Sequence, residues 1–384
     1  MTPFEIATGW LFGHGTALPL PREMQPHPRA VLDEILRPAL QAERCHVLFS
    51  GGRDSSVVLA CAIALARREG LPIPSPVTRV FPEDPATSEE DWQRQVLAHL
   101  DVSDWVRLEI HDELDVVGPI AQSGLIEHGV VFPSTAYPQA FTFQQLAGGN
   151  VLTGEGGDEV FGAQRITPVV ALLRRRRRLS PDLVLASARA LAPAPIRRRA
   201  ASREAVATGA YDWLVPAARA DARALRAHDA GAEPLWWADG VRHLLRSRSR
   251  EVGMANLAAV ARGVGVQLLH PLMDPRFVAS VAMWGGRLGP VGRTETMLRL
   301  FGDLLPEQVL RRVTKATFNA TAVNRHSAEF IRGWNGDGLD TSLVDVDVLR
   351  AHWAEPAPLP ATLSLLQQAW LSSNSSRAER VFPA

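Results

Sequence analysis

The spacing of apolar residues changes most sharply at His46–Gly70. A short apolar run, His46-Val47-Leu48-Phe49, breaks into Ser50-Gly51-Gly52-Arg53-Asp54-Ser55-Ser56. An apolar helix pattern follows and runs unbroken to Gly70, with Arg67 and Arg68 in its last turn. That order predicts strand, tight loop, helix. PVTRVF (76–81) repeats the strand pattern, and Ser88-Glu89-Glu90-Asp91 predicts a capping box opening a helix through DWQRQVLAHL. WVRLEI (105–110) gives a third strand, a helical region extends to Ala147, and NVLT (150–153) gives a fourth strand ending at Gly154-Glu155-Gly156-Gly157-Asp158-Glu159. Repeated β-α units of this length predict an α/β fold, a doubly wound parallel sheet with helices on both faces. Ligands in such sheets bind off the carboxyl ends of the strands, and both glycine-rich loops fall at such ends.

The pattern divides the chain into four parts. Residues 1–45 are rich in Pro and Gly, with one helix pattern near Arg29–Gln41, and 46–165 form the α/β core. Beyond Phe161, Ala, Leu and Arg dominate and strand patterns vanish, which predicts a helical lobe over 166–335, broken at Pro193, Pro195 and Pro216. Residues 336–384 form a tail whose LSLLQQAWL segment is expected as a short helix packed back on the body. The arginine run Arg174–Arg178 and its echo Arg197–Arg199 are expected on a solvated helix face, the other reading being a docking surface for an acidic substrate or partner.

Composition narrows the class. In 384 residues, 41 Lys plus Arg balance 41 Asp plus Glu, so the molecule has no general field to attract nucleic acid or membrane. The longest apolar run, Val57–Ala66, is too short to cross a bilayer. The cysteines, Cys45 and Cys61, make no disulfide framework and have no metal-ligand company. A soluble cytoplasmic protein is expected, with neither membrane nor nucleic acid as partner.

Candidate chemistry centres on the first loop. Two glycines let the backbone turn and approach a ligand, and the unpaired amides at the following helix N-terminus favour phosphate. Asp54 puts a carboxylate where phosphates would sit, which predicts a magnesium ion between them. Taken alone, Gly154–Gly162 also fits a simple hinge.

The full S-G-G-x-D-S-S resembles the pyrophosphate loop of the ATP pyrophosphatases. Together with G-E-G-G-D-E and two later segments, it resembles the synthetase domain of the asparagine synthetase family, whose core is adenine nucleotide α-hydrolase-like. The resemblance implies that Asp54 and Asp158 hold magnesium and that Ser50, Gly51, Gly52, Ser55 and Ser56 cradle pyrophosphate. It also places Gly154 and Glu155 in the nucleotide and substrate wall and Phe81 at the adenine pocket, a strand-end core aromatic being the other reading of Phe81. Gly265–Asp274 is similar to the family's G-L-E-V-R-x-P-F-L-D, but Gln267 stands where glutamate is usual and Leu269 where arginine is usual. The glutamate at the Gln267 position assists deprotonation of the nucleophile in the family. An amide lacks that basicity, which leaves Glu155, His270 and Glu159 as unranked candidates. Thr294–Phe318 resembles the family's lysine-bearing segment, so Lys315, the single lysine of the chain, takes the catalytic position. A fixed ammonium there stabilises the anionic phosphorus centre of adenylation. Arg293, two residues before Glu295 at another usual lysine position, is assigned to pyrophosphate. Thr2 occupies the place of the glutaminase nucleophile, so no glutaminase domain is expected.

The implied reaction is ATP- and magnesium-dependent formation of an amide through an acyl adenylate. The substrate is expected to be a small molecule or peptide bearing a carboxylate and an amine, in the manner of β-lactam synthetases and lasso-peptide cyclases, with a separate peptide-binding or protease protein as partner. Ammonia-dependent asparagine synthesis is the first alternative. A non-catalytic nucleotide-binding partner and a transfer-RNA-modifying ATP pyrophosphatase are the others.

Overall fold

The computed structural model describes residues 1–15, 27–174, 180–314, 319–355 and 358–381. Five strands form one sheet: β1 (Cys45–Leu48), β2 (Ser75–Val80), β3 (Val106–Glu109), β4 (Asn150–Leu152) and β5 (Gln267–Leu269). Their order is β3-β2-β1-β4-β5, and every pairing is parallel. Leu48 pairs with Val77 on one side of β1, Val47 with Leu152 on the other, and Leu152 with Leu269 beyond. Strand order reverses between β1 and β4, so the crevice past their carboxyl ends is the switch point of the sheet.

β5 corrects the expectation that strands end before residue 166. It has three residues, too few for a period to show, and it joins the sheet because Gly265 bends the chain with φ +76° and the β5 amides meet β4. The remainder of the lobe is helical, including Pro181–Leu191, Ala194–Ala207 and Pro216–Ala232, with breaks at the expected prolines.

Period-two alternation sorts β1 between two cores. Val47 and Phe49 pack with α2 (Pro28–Leu40) and α3 (Arg53–Glu69), while Leu48 packs with Val77, Phe143, Val151 and Val266. α3 ends where the sequence predicts, at Gly70 with φ +67°, a left-handed cap that costs glycine nothing. α4 (Glu90–His99) follows β2, but its expected capping box is absent. Glu89 is the N-cap and makes no capping hydrogen bond, because its carboxylate is engaged elsewhere. A true capping box closes a helix not foreseen, α1 (Pro3–Thr8), where Thr2 and Glu5 bond reciprocally. α5 (Pro119–His128) and α6 (Gln139–Gln144) complete the core before β4.

The tail helix Leu363–Val381 packs against the body. Leu365, Leu366 and Ala369 are buried, and Gln367 Nε2 donates to the carbonyls of Val116 at 2.9 Å and Ser134 at 2.7 Å. Arg197 departs from the solvated face expected for it, since it donates to the carbonyls of Ala192 at 2.8 Å and Gly231 at 2.6 Å. Arg175–Arg178 lie outside the described residues. Cys45 and Cys61 are both buried and unpaired, and no described helix is long and apolar enough to cross a membrane.

Candidate active site

The loop after β1 is shaped by its own hydroxyls. Gly51 takes φ +81°, and Gly52 is the extended N-cap of α3. Ser50 Oγ accepts from the Gly52 amide at 3.3 Å, and Ser55 Oγ accepts from the Ser50 amide at 3.3 Å and donates to the Gly52 carbonyl at 3.1 Å. Ser50, Gly52, Asp54 and Ser55 line a cavity of about 780 Å³ at the switch point. Ser56 does not join them. It is fully buried, and its hydroxyl and amide both donate to the Gly52 carbonyl, at 2.8 Å and 3.0 Å, so Ser56 is not placed to cradle a phosphate.

The second loop lies flat against the first. A Cβ on Gly154 would stand 2.5 Å from the Ser55 nitrogen, and one on Gly157 would stand 2.3 Å from Asp54 Cγ, so these positions admit only glycine at this approach. α7 (Gly157–Val160) then starts at Gly156, with φ +88°, and carries Asp158 at its N-terminal turn. The packing brings Asp54 and Asp158, 104 positions apart, to one guanidinium: Arg293 donates from Nη2 to Asp54 Oδ2 and from Nη1 to Asp158 Oδ1. Burial pushes the Asp54 carboxyl above the usual carboxylate range, opposed by the Arg293 charge. Asp54 Oδ1 is buried without a partner among the described atoms. Two converging carboxylates with a spare oxygen fit magnesium, which takes one or two protein carboxylates and completes its shell with phosphate and water. Among the described residues no group of three acidic, His or Cys side chains offers a self-sufficient cage.

The cavity brings together residues named from the sequence and others that only the fold places there. Phe81 packs with Ile110 and Leu114 and also lines the cavity. Arg312 and Glu89 form an ion pair whose side chains are only 5% and 4% exposed. Arg312 Nη1 also donates to the Gly51 carbonyl at 3.1 Å, and its guanidinium lies 4.8 Å over the Trp92 ring. Gln93 Nε2 donates to the Ser50 carbonyl at 3.0 Å. The loop from Ser50 to Ser56 is thus pinned from α4 and from the segment after the helix Glu307–Arg311. Arg53 lines the same end and donates to Thr294 Oγ1 at 3.3 Å.

On the far side of the loops, Glu155 is exposed on the cavity and its amide donates to Thr153 Oγ1 at 3.2 Å. Thr153 Oγ1 is 2.7 Å from His270 Nδ1, and burial pushes the His270 ring down to about 4. His270 also lines the cavity, and its Nε2 is buried without a partner among the described atoms. Glu159 is held by Arg250 at 2.7 Å. Gln267 is not brought to the cavity. It is exposed at the start of β5, which reaches the cavity through Leu268 and, just past the strand, His270. Lys315 lies outside the described residues; Thr314, the last residue described before it, lines the cavity.

An all-parallel sheet with two interlocked glycine loops at its switch point, and acidic side chains converging above a helix N-terminus, defines a nucleotide-binding α/β enzyme. The profile of the asparagine synthase family matches residues 29–374, and the chain belongs to that family. It is an ATP-using ligase of the asparagine synthetase type. No curated protein matches the chain in direct sequence comparison.

Proposed function

We propose that the protein is an AMP- and pyrophosphate-forming carbon–nitrogen ligase that activates the carboxylate of a peptide or specialised metabolite and closes it onto an amine of the same molecule. A carboxylate oxygen attacks the α-phosphorus of ATP, the bond to the β-phosphate oxygen breaks, and pyrophosphate leaves. The amine then attacks the acyl carbon, expels AMP and loses a proton. The Arg53 guanidinium and the backbone amides that open α3 receive the pyrophosphate. Asp54 and Asp158 would hold magnesium, which would supply charge neutralisation for that leaving group. The observation that carries this reading is the meeting of Asp54 and Asp158 at one cation above the N-terminus of α3.

One feature supports a substrate other than aspartate: the cavity, near the upper part of the range for ligand pockets, carries apolar walls at Pro133, Phe143, Leu257 and Leu268. Exchange of radiolabelled pyrophosphate into ATP, driven by a panel of carboxylic acids and peptides, tests the adenylation half. Exchange with AMP as the co-product is expected; release of ADP and phosphate contradicts it. Lys315→Ala should abolish exchange while ATP affinity stays within about threefold, since an ammonium acting on the transition state adds little to ground-state binding. Formation of asparagine from aspartate and ammonium would replace the cyclase reading with ammonia-dependent asparagine synthesis.

A further inference from the structure

Arg293 touches both acidic side chains, Asp54 and Asp158, with one guanidinium. It is the first residue of the helix Arg293–Phe301, entered through Gly292 at φ +92°. A positive charge at that end opposes the helix dipole, so the helix itself does not favour this position, and the two carboxylates do. The fit is incomplete. The guanidinium gives one nitrogen to each loop instead of a fork to either, and it leaves Arg293 Nε and Asp54 Oδ1 buried without partners among the described atoms. Unmade hydrogen bonds of buried charged groups are costly, so the clamp is poised for exchange. Arg53, close enough for its charge to repel Arg293, adds to that tendency.

We propose that Arg293 is a stand-in for the divalent cation: it holds Asp54 and Asp158 together in the nucleotide-free protein and yields them to the metal when a polyphosphate arrives to receive its guanidinium. The inference rests on the ligase reading for the identity of that polyphosphate, and it adds an order to binding. Metal alone must displace Arg293 without giving it a new partner. Metal with nucleotide exchanges one partner for another, so the two ligands bind with positive coupling, and each raises the affinity of the other by the same factor. The charge also balances. A divalent ion neutralises the two carboxylates that Arg293 had half neutralised, and Arg293 becomes an additional counter-charge for the phosphates.

Manganese binding, followed by the loss of the free-ion electron paramagnetic resonance signal, tests this on the whole chain with and without the β,γ-imido analogue of ATP. Wild type should bind manganese weakly alone and more tightly with the analogue. Arg293→Met should bind manganese alone about tenfold more tightly than wild type, the size expected for removing one competing charge from a part-buried site, and its coupling should fall by about the same factor, leaving the direct attraction between metal and phosphate. Arg293→Gln should do the same, which protects the test against misfolding of one variant, and Asp54→Asn added to Arg293→Met should erase the gain. Folded variants that bind manganese no better than wild type, or a gain that survives Asp54→Asn, would overturn the proposal. Pyrophosphate exchange separates the two claims: its absence beside a manganese gain removes the ligase reading alone, and its presence without a gain removes this one alone.

Discussion

His270 is held by the second loop: Thr153 Oγ1 accepts from the Glu155 amide at 3.2 Å and lies 2.7 Å from His270 Nδ1, so one hydroxyl ties the loop to the ring. The buried ring also has a thermodynamic signature. In the unfolded chain it takes a proton near pH 6.5, and in the folded protein not until about pH 4. The unfolded state therefore binds more protons between these values, and stability falls as pH drops through that window, by on the order of 3 kcal/mol at its lower end, with no effect above pH 7. Urea unfolding of wild type and His270→Gln at about pH 7.5, above the window, and at about pH 4.5, near its lower end, checks this. The variant should lose less stability on acidification, and equal losses in both proteins would place the ring in solvent.

At the scale of elements, the Glu89–Arg312 pair ties the loop after β1 to α4 and to the chain following Glu307–Arg311. Arg312→Met takes from Glu89 a buried ion-pair partner and should cost about 3–5 kcal/mol by denaturation. Glu89→Gln combined with Arg312→Met should cost less than the sum of the two single changes; strict additivity would mean that the pair does not interact. This link also shows where local sequence signals fail. Ser88-Glu89-Glu90-Asp91 has the spacing of a capping box, but Glu89 answers to a partner 223 positions away, and long-range charge pairing leaves no local mark. β5 was hidden for a related reason, since three residues show no period and only the edge of β4 makes them a strand. By contrast, the loop from Ser50 to Ser56 and its helix to Gly70 were legible because they rest on short-range chemistry: Gly51 takes a positive φ, and an apolar helix follows at once. The acidic loop at Gly154–Glu159 was legible as a glycine-rich motif, while the close approach of Gly154 and Gly157 to Asp54 and Ser55 shows only in the fold.

Across the whole molecule, the sheet order converts two distant motifs into one site. Nothing local in the sequence states that β4 lies beside β1, yet that adjacency alone brings Asp158 over Asp54. The helical lobe then supplies Arg293 and Arg312 from above, and the tail helix locks the body through Gln367. The lobe expected to be purely helical thus contributes both a strand and the cationic roof, so the α/β core does not complete the site by itself.

The most direct test of this arrangement is a double-mutant cycle in Asp54→Asn and Asp158→Asn, read as the affinity for magnesium with the β,γ-imido analogue of ATP by isothermal titration. If both carboxylates act on one triphosphate through one ion, either single change should weaken binding nearly as much as both together, with a coupling of about 1–3 kcal/mol. Losses that simply add would mean that the two loops serve separate ligands.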